Sequence, residues 1–220
     1  AAGTGETLQP LLEQSDDVQR RLTALPVFNN PGEDRHLLAA QKKEDGYRLS
    51  GALEYVVLGG LAGHALLPAT VAGQTDYGYF LVELPQPGIT ISDPVHSLGL
   101  HACPAVDLTL EQVPGVLIGE ESRGPAYFEA MADRLFVAAA AMSTGIMKGS
   151  LKEALDYSRQ RFQGGREIIN WSEIRMMLAD MAVKTKNAEM TVARACQAVD
   201  NREKGWGQSS RAAALQIQAM

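Results

Sequence analysis

The chain has 220 residues, a formal net charge of −6, 45% hydrophobic and 21% charged residues. This is the balance of a soluble globular protein with one large domain or two small ones, and it excludes a disordered chain. The acidic charge argues against nucleic acid or an anionic membrane as partner, because both need a basic face.

No charged leader with an apolar core opens the sequence, and no run approaches the roughly 18 apolar residues of a membrane span, so a cytoplasmic protein is the expectation. Cys103 and Cys196 follow no CxxC spacing and read as two buried, reduced thiols; a disulfide would need their Cα atoms within about 7 Å.

Residues 1–25 carry apolar residues at helical spacing, Leu8, Leu11, Leu12, Val18 and Leu22, a segment too short to stand alone. From 38 to about 118 the pattern is β. Residues 47–51 read as a strand ending at a turn at Gly51. Residues 54–58 (EYVVL) form a short strand closed by Gly59-Gly60. Residues 65–71 and 77–84 are further strands; Pro85, Pro87 and Gly88 interrupt, and 89–91 resumes. Residues 106–110 alternate as a half-buried strand. Many short strands with Gly and Pro turns predict a small barrel or sandwich.

After Gly124 the period becomes helical. Residues 127–163 place Phe128, Met131, Leu135, Met142, Ile146, Leu151, Leu155 and Phe162 at helical spacing without a proline. That predicts a helix of about 55 Å, hence a long-helix bundle. Gly164-Gly165 is the predicted stop. Asn170 or Ser172 caps a second helix over 173–199, 201–210 is a polar loop, and a third helix begins at Ala212. A bundle helix ending after two turns suggests a truncated product, a domain piece or proteolysis.

The order of these textures, with five tags, resembles the acyl-CoA dehydrogenase family. Gly46-Tyr47-Arg48-Leu49-Ser50-Gly51 stands for GxxLNGxK, and Leu98-Gly99-Leu100-His101 for LGxR. Ile118-Gly119-Glu120-Glu121-Ser122-Arg123-Gly124 resembles LGxEGxG. Gly145, Ala154, Tyr157 and Arg161 fall on GxAxxALxxAxxYAxxRxxFG, and Leu178-Ala179-Asp180-Met181-Ala182 is LADMA. The match covers roughly 28–220, with the family's N-terminal helical domain nearly absent. The resemblance implies an α+β, multidomain fold: a remnant helical segment (1–25), a β-barrel-like middle domain (26–118) and a partial antiparallel helix bundle (119–220). It implies FAD-dependent α,β-dehydrogenation of an acyl-CoA thioester. In that reaction the flavin takes a hydride, a carboxylate takes the proton, and donors polarise the thioester carbonyl.

The resemblance also assigns positions. Residues 28–34 stand where the family has TEPxxGSD, with Pro31 kept and Glu33 poorly suited to a pyrophosphate. Tyr55 and Val57 stand where an indole and a hydroxyl meet the flavin. Tyr55 keeps the aromatic and Val57 lacks the hydroxyl; the alternative is that both are ordinary barrel residues. Asp133 matches an aspartate near the acyl-CoA, and it would either bind substrate or be a solvated helix residue. Leu135 and Phe136 stand where some members carry a glutamate base and an arginine.

Arg161 matches an arginine that reaches the FAD of a neighbouring subunit, with a planar, permanent charge that suits a diphosphate; the alternative is an ordinary ion pair. Gly164 replaces a phenylalanine. Trp171 keeps an aromatic, and Ser172 and Arg175 replace two glutamines, Arg175 still able to donate to phosphate. No residue is assigned as catalytic base, since the family's usual glutamate falls past Met220. Thus the cofactor-binding set is Tyr55, Val57, Arg161, Trp171 and Arg175, and Asp133 is the substrate candidate. FAD is the cofactor, and acyl-CoA with a homo- or hetero-oligomer of like subunits are the partners. A non-catalytic subunit is the alternative function. The apolar 138–142 stretch with Met176, Met177 and Met181 fits burial in an oligomer or in a monomer core. His101 with Cys103 makes too few ligands for a metal, and Gly59-Gly60 lacks GxGxxG.

Overall fold

The computed structural model describes residues 22–26, 31–32, 37–200, 211–214 and 217. The chain divides into two compact units, Ala1–Phe128 and Glu129–Met220. The predicted helix through Leu8 to Val18 and the 201–210 loop lie outside the described residues. Of the 28–34 turn, only Pro31 and Gly32 are described.

The first unit is a closed sheet. Its strands are β1 (Thr23–Ala24), β2 (Leu38–Lys43), β3 (Gly46–Val57), β4 (His64–Val71), β5 (Tyr77–Glu83), β6 (Ile89–Ile91) and β7 (Ala105–Ile118). The hydrogen-bonded order is β1-β4-β2-β3-β7-β5, and β4 also pairs with β5. Strands β4, β2, β3, β7 and β5 thus close on themselves, which removes the exposed edges an open sheet would carry. Leu38, Leu49, Leu67, Phe80, Leu108 and Val113 point inward and are fully buried. Alternation along β7, with Leu108 and Leu110 buried and Thr109 exposed, builds the inner face.

Two sequence expectations change here. Gly51 does not end a strand, and 54–58 is not a separate one: β3 runs unbroken through 12 residues. Likewise β7 continues past Leu110 through Pro114 to Ile118. The register shifts between Leu49 and Gly51 and again between Leu53 and Val56. Each bulge inserts a residue and resets the inside-outside alternation, so the sequence pattern looks broken where the strand only bends. At the first bulge Gln112, with φ +52°, donates its N–H to Ser50 Oγ at 2.9 Å.

In the helical region α1 spans Gly124–Gln160 and α2 spans Ser172–Asp200, and residues 211–214 and 217 are helical, where a third helix was expected. Gly164-Gly165 is not a helix stop. Helix α1 ends at Gln160, and β8 (Phe162–Gln163) pairs with β9 (Arg166–Glu167) across the glycine pair. Both glycines have positive φ, +65° and +83°, the conformation a two-residue hairpin turn demands. A 3-10 turn, Ile168–Asn170, leads into α2. Asn170 does not cap α2; its amide donates to Glu167 at 2.8 Å. Ala140, Ala188, Ala214 and Ile217 form this unit's small core, with Met147 and Val192 against it.

The thiols are not both buried: Cys103 is exposed and Cys196 half-buried, and both are free. Met142, Met176 and Met177 are exposed too, so of the 138–142 stretch and its methionines the chain buries Ala140 but leaves these three side chains at the surface. Helix α1 is also long and apolar enough, by length and composition alone, to cross a membrane, at a mean hydropathy of 1.2. The sequence reading missed this because glycine, serine and threonine interrupt its apolar runs without lowering the average much.

Candidate functional site

In the barrel, Tyr55 and Val57 occupy the bulged end of β3. Tyr55 adopts φ +57° and Leu58 φ +62°. The left-handed region costs a bulky residue about 1–3 kcal/mol, and such residues persist where the surroundings enforce them, often at functional sites. The enforcing contact is Asp107, whose Oδ1 accepts the Tyr55 N–H at 2.9 Å. Asp107 is in turn fixed by its own N–H donating to Ser92 Oγ at 2.9 Å. The Leu58 N–H donates to the Pro104 carbonyl at 2.7 Å. Val57 exchanges both backbone hydrogen bonds with Leu25, at 3.0 and 3.2 Å. Val57 therefore presents only apolar surface, while the half-buried Tyr55 presents an aromatic ring on a kinked strand. Asp107 went unnoticed in the sequence, where it reads as one polar residue of an alternating strand.

In the helical unit the β8–β9 hairpin gathers Arg161, Trp171 and Arg175. The Arg161 N–H donates to Tyr157 O at 2.9 Å, continuing α1, and its carbonyl accepts the Ile168 N–H at 2.8 Å. Trp171 donates its N–H to Ile168 O at 3.0 Å and its indole Nε1–H to Gln163 O at 3.3 Å. The Arg175 N–H reaches Trp171 O at 3.1 Å.

The indole lies where a side chain at 164 would sit: a Cβ there would come within 2.8 Å of Trp171 Cζ2. Its face carries Arg166, with the guanidinium carbon 3.8 Å from the ring centroid, a cation–π stack that orients the charge. Arg161, Arg166 and Arg175 are all exposed. Glu167 and Glu173 balance part of this charge. The Glu173 carboxyl is held below its ordinary range by its own backbone N–H and then by the Ser172 hydroxyl. Arg166 was not predicted as a site residue; the signal available was an arginine directly after a Gly-Gly turn.

Asp133 is not simply a solvated helix residue, because it is ion-paired within its own unit. Its Oδ1 accepts from Arg211 Nε at 2.6 Å, and Arg211 also approaches Glu129 at 3.6 Å. That hydrogen bond pushes the Arg211 guanidinium further up. Along α1, Asp133 lies 28 residues before Arg161, about 42 Å at helical rise, so these two predicted residues are not brought together. Leu135 and Phe136 are exposed, at 42% and 38%. His101 Nε2 lies 2.8 Å from Ser97 O and its ring stacks on His96. No group of three metal-ligating side chains forms among the described residues. A groove of about 400 Å³ between α1 and α2 contains none of the predicted residues; its Lys148, Lys152 and Lys186 are ion-paired to Glu189 and Asp156.

Whether this fits FAD divides by unit. The hairpin and its flanks carry three exposed arginines, of which Arg166 is stacked on Trp171, residue types suited to a diphosphate. The end of β3 offers an aromatic and an apolar surface but no side-chain hydroxyl at Val57.

Known proteins resemble this chain in sequence and in fold. Residues 126–219 match the family model for the acyl-CoA dehydrogenase C-terminal domain. The chain is 31% identical over 184 residues to the cyclohex-1-ene-1-carbonyl-CoA dehydrogenase of Syntrophus aciditrophicus, covering 79% of this chain and 44% of that protein. It is 26% identical over 219 residues to the caffeyl-CoA reductase-Etf complex subunit CarC of Acetobacterium woodii, covering 96% and 58%. The butyryl-CoA dehydrogenase structure from Megasphaera elsdenii superposes with a TM-score of 0.79 at 25% identity, over 89% of this chain and 54% of that one. The chain spans about half the length of the curated relatives it matches. With barrel, bundle, sequence and fold in agreement, the chain belongs to the acyl-CoA dehydrogenase family.

Proposed function

We propose that this chain is the barrel-and-bundle part of an acyl-CoA dehydrogenase-type flavoprotein and binds FAD. The observation that supports this reading is the hairpin, where the Arg166 guanidinium stacks on the indole of Trp171 and the exposed Arg161 and Arg175 are joined to the same segment by main-chain hydrogen bonds. Guanidiniums there would hold the diphosphate bidentately, and Trp171 would keep the arginine edge in place. In the barrel unit, Tyr55, held in its left-handed conformation by Asp107, would offer an aromatic surface to a flavin ring, while Arg161 would reach the FAD of a neighbouring subunit, as the resemblance implies. Bound oxidised flavin would supply the hydride acceptor for dehydrogenation of an acyl-CoA thioester. The test is direct: the purified chain is soaked in FAD, dialysed and examined for flavin absorbance. Retained colour supports the reading; a colourless protein contradicts it.

A second reading, a non-catalytic subunit that keeps the fold, is favoured by three apolar positions. Val57 brings no hydroxyl, and Leu135 with Phe136 brings neither carboxylate nor guanidinium to the face of α1 they expose. Anaerobic mixing of the flavin-loaded chain with a panel of acyl-CoA thioesters separates the two. Bleaching of the flavin spectrum supports the enzyme; unchanged colour with every thioester supports the non-catalytic subunit.

A further inference from the structure

The second bulge of β3 decides which side of the barrel wall Tyr55 faces. Leu53 pairs with Leu108 and Val56 with Val106, so Glu54 and Tyr55 together stand opposite Asp107 alone. Leu53 and Val56 are both buried, at 5% and 0% exposure. In a strand without a bulge side chains alternate, so Tyr55 would share the inner face with Leu53 and Val56 would face outward. The extra residue reverses this. Val56 takes the inward place, and Tyr55 belongs neither to the barrel core nor to the half-buried side chains packed against it.

An extra residue also leaves a backbone N–H without a partner in the ladder. Here that donor is the Tyr55 N–H, and Asp107 Oδ1 accepts it at 2.9 Å. The Asp107 side chain is exposed, as is Thr109, on the outer side of β7. The first bulge uses the same device with the strands exchanged. Leu49 pairs with Val113 and Gly51 with Leu110, so Glu111 and Gln112 stand opposite Ser50. Ser50 Oγ accepts the Gln112 N–H at 2.9 Å. Gln112 and Tyr55 are left-handed alike, at φ +52° and +57°. In both bulges a short acceptor side chain on the facing strand satisfies the N–H of the left-handed residue.

We propose, on the reading that the chain binds FAD, that Asp107 is a positioning residue for the flavin. By accepting the Tyr55 N–H it fixes the bulge that turns the Tyr55 ring out of the core and onto the surface offered to the ring system. Its own backbone is held by Ser92, whose N–H donates to the Asp107 carbonyl at 3.0 Å and whose Oγ accepts the Asp107 N–H at 2.9 Å. The role belongs to the placement of an acceptor, not to a charge. Asparagine carries the same Oδ1, whereas glutamate keeps the charge and sets its oxygens one methylene further out.

The experiment is a fluorescence titration of FAD with the full 220-residue chain. It gives both the affinity and the emission of the bound flavin, which a stacked tyrosine quenches. Asp107→Ala should weaken binding roughly tenfold, the scale of one hydrogen bond, and should raise the emission of the bound flavin. Asp107→Asn should match the unsubstituted chain, and Asp107→Glu should behave as Asp107→Ala does. Thermal melting reports folding, and the asparagine and glutamate variants carry the comparison if the alanine variant does not fold.

A double-mutant cycle separates positioning from stability. In a Tyr55→Ala background Asp107→Ala should cause no further loss, because Asp107 acts through the Tyr55 ring; a general weakening of the barrel would lower affinity in both backgrounds. Unchanged affinity in Asp107→Ala, weakened binding in Asp107→Asn, full binding in Asp107→Glu, or an equal loss in the Tyr55→Ala background would each overturn the proposal and leave FAD binding standing. An unsubstituted chain that binds no FAD would overturn the flavin reading and this role with it.

Discussion

Gly164→Ala tests how the hairpin is held, and Gly165→Ala is its internal control. Both glycines sit in the left-handed region, at φ +65° and +83°, so either alanine carries a conformational cost of about 1–2 kcal/mol. At Gly165 a Cβ meets nothing within 4 Å, whereas at Gly164 it meets Trp171 Cζ2 at 2.8 Å. Gly164→Ala must therefore also displace the indole, adding roughly 1 kcal/mol at the low end of overpacking costs because the site is at the surface. For a unit of this size each kcal/mol lowers the melting temperature by about 4–8 °C. The assay is thermal unfolding followed by circular dichroism, with Trp171 emission read in a Trp206→Phe background that leaves Trp171 as the sole indole. Gly164→Ala should melt below Gly165→Ala and shift the emission, because the Trp171–Arg166 stack is broken. Equal melting of the two variants, or unchanged emission in Gly164→Ala, would refute the packing described.

Other consequences reach the rest of the chain. Glu121 accepts from the Tyr47 hydroxyl, from Lys42 at 3.0 Å and from Gln74 at 3.0 Å, and the Tyr47 bond first, then Lys42, holds its carboxyl below the ordinary range. Its stabilisation is thus present above the unfolded carboxylate range, near pH 4.3, and lost as the pH falls through the lowered folded value; Glu121→Gln should flatten that acid limb in pH-dependent melts of the barrel. Leu49→Ala should cost about 2–5 kcal/mol. A Cβ on Gly115 would lie 2.3 Å from Leu49 Cδ1, so denaturant melts of Gly115→Ala with Leu49→Ala should lose less than the sum of the two. Arg211→Ala removes the 2.6 Å partner of Asp133 and, for a half-exposed pair, should cost about 0.5–1 kcal/mol at low salt and less at high salt.

The sequence was most informative where a repeating pattern meets a repeating geometry. The helical period from Phe128 to Leu155 located α1 to within a few residues, and the glycine and LADMA tags located the family because glycines serve turns and close packing. It was least informative where geometry departs from period. Bulges near Gly51 and Glu54 divided one long strand into two on paper. The left-handed Tyr55 carries no glycine to announce it, and Asp107 acquires its role only through a partner 52 residues away. Gly164-Gly165 was seen as punctuation; that it is a hairpin turn, with Trp171 filling the space beside it, depends on a contact across seven residues. Arg161 and Arg175 entered as site candidates only through the family resemblance, while Arg166 became visible only through its stack on the indole. The ion pair of Asp133 was least legible, because its partner Arg211 comes from a helical segment 78 residues later.

The claim on which the functional reading rests is that the arginine edge of the hairpin holds the FAD diphosphate, and a calorimetric titration of FAD into the chain and its Arg161→Ala and Arg175→Ala variants tests it most directly. Saturable binding is predicted, with each substitution weakening it by about 1.5–3 kcal/mol, the scale of a charged hydrogen bond, and with ADP competing because it shares the diphosphate. Absence of binding, or affinity unchanged in both variants, would contradict the account.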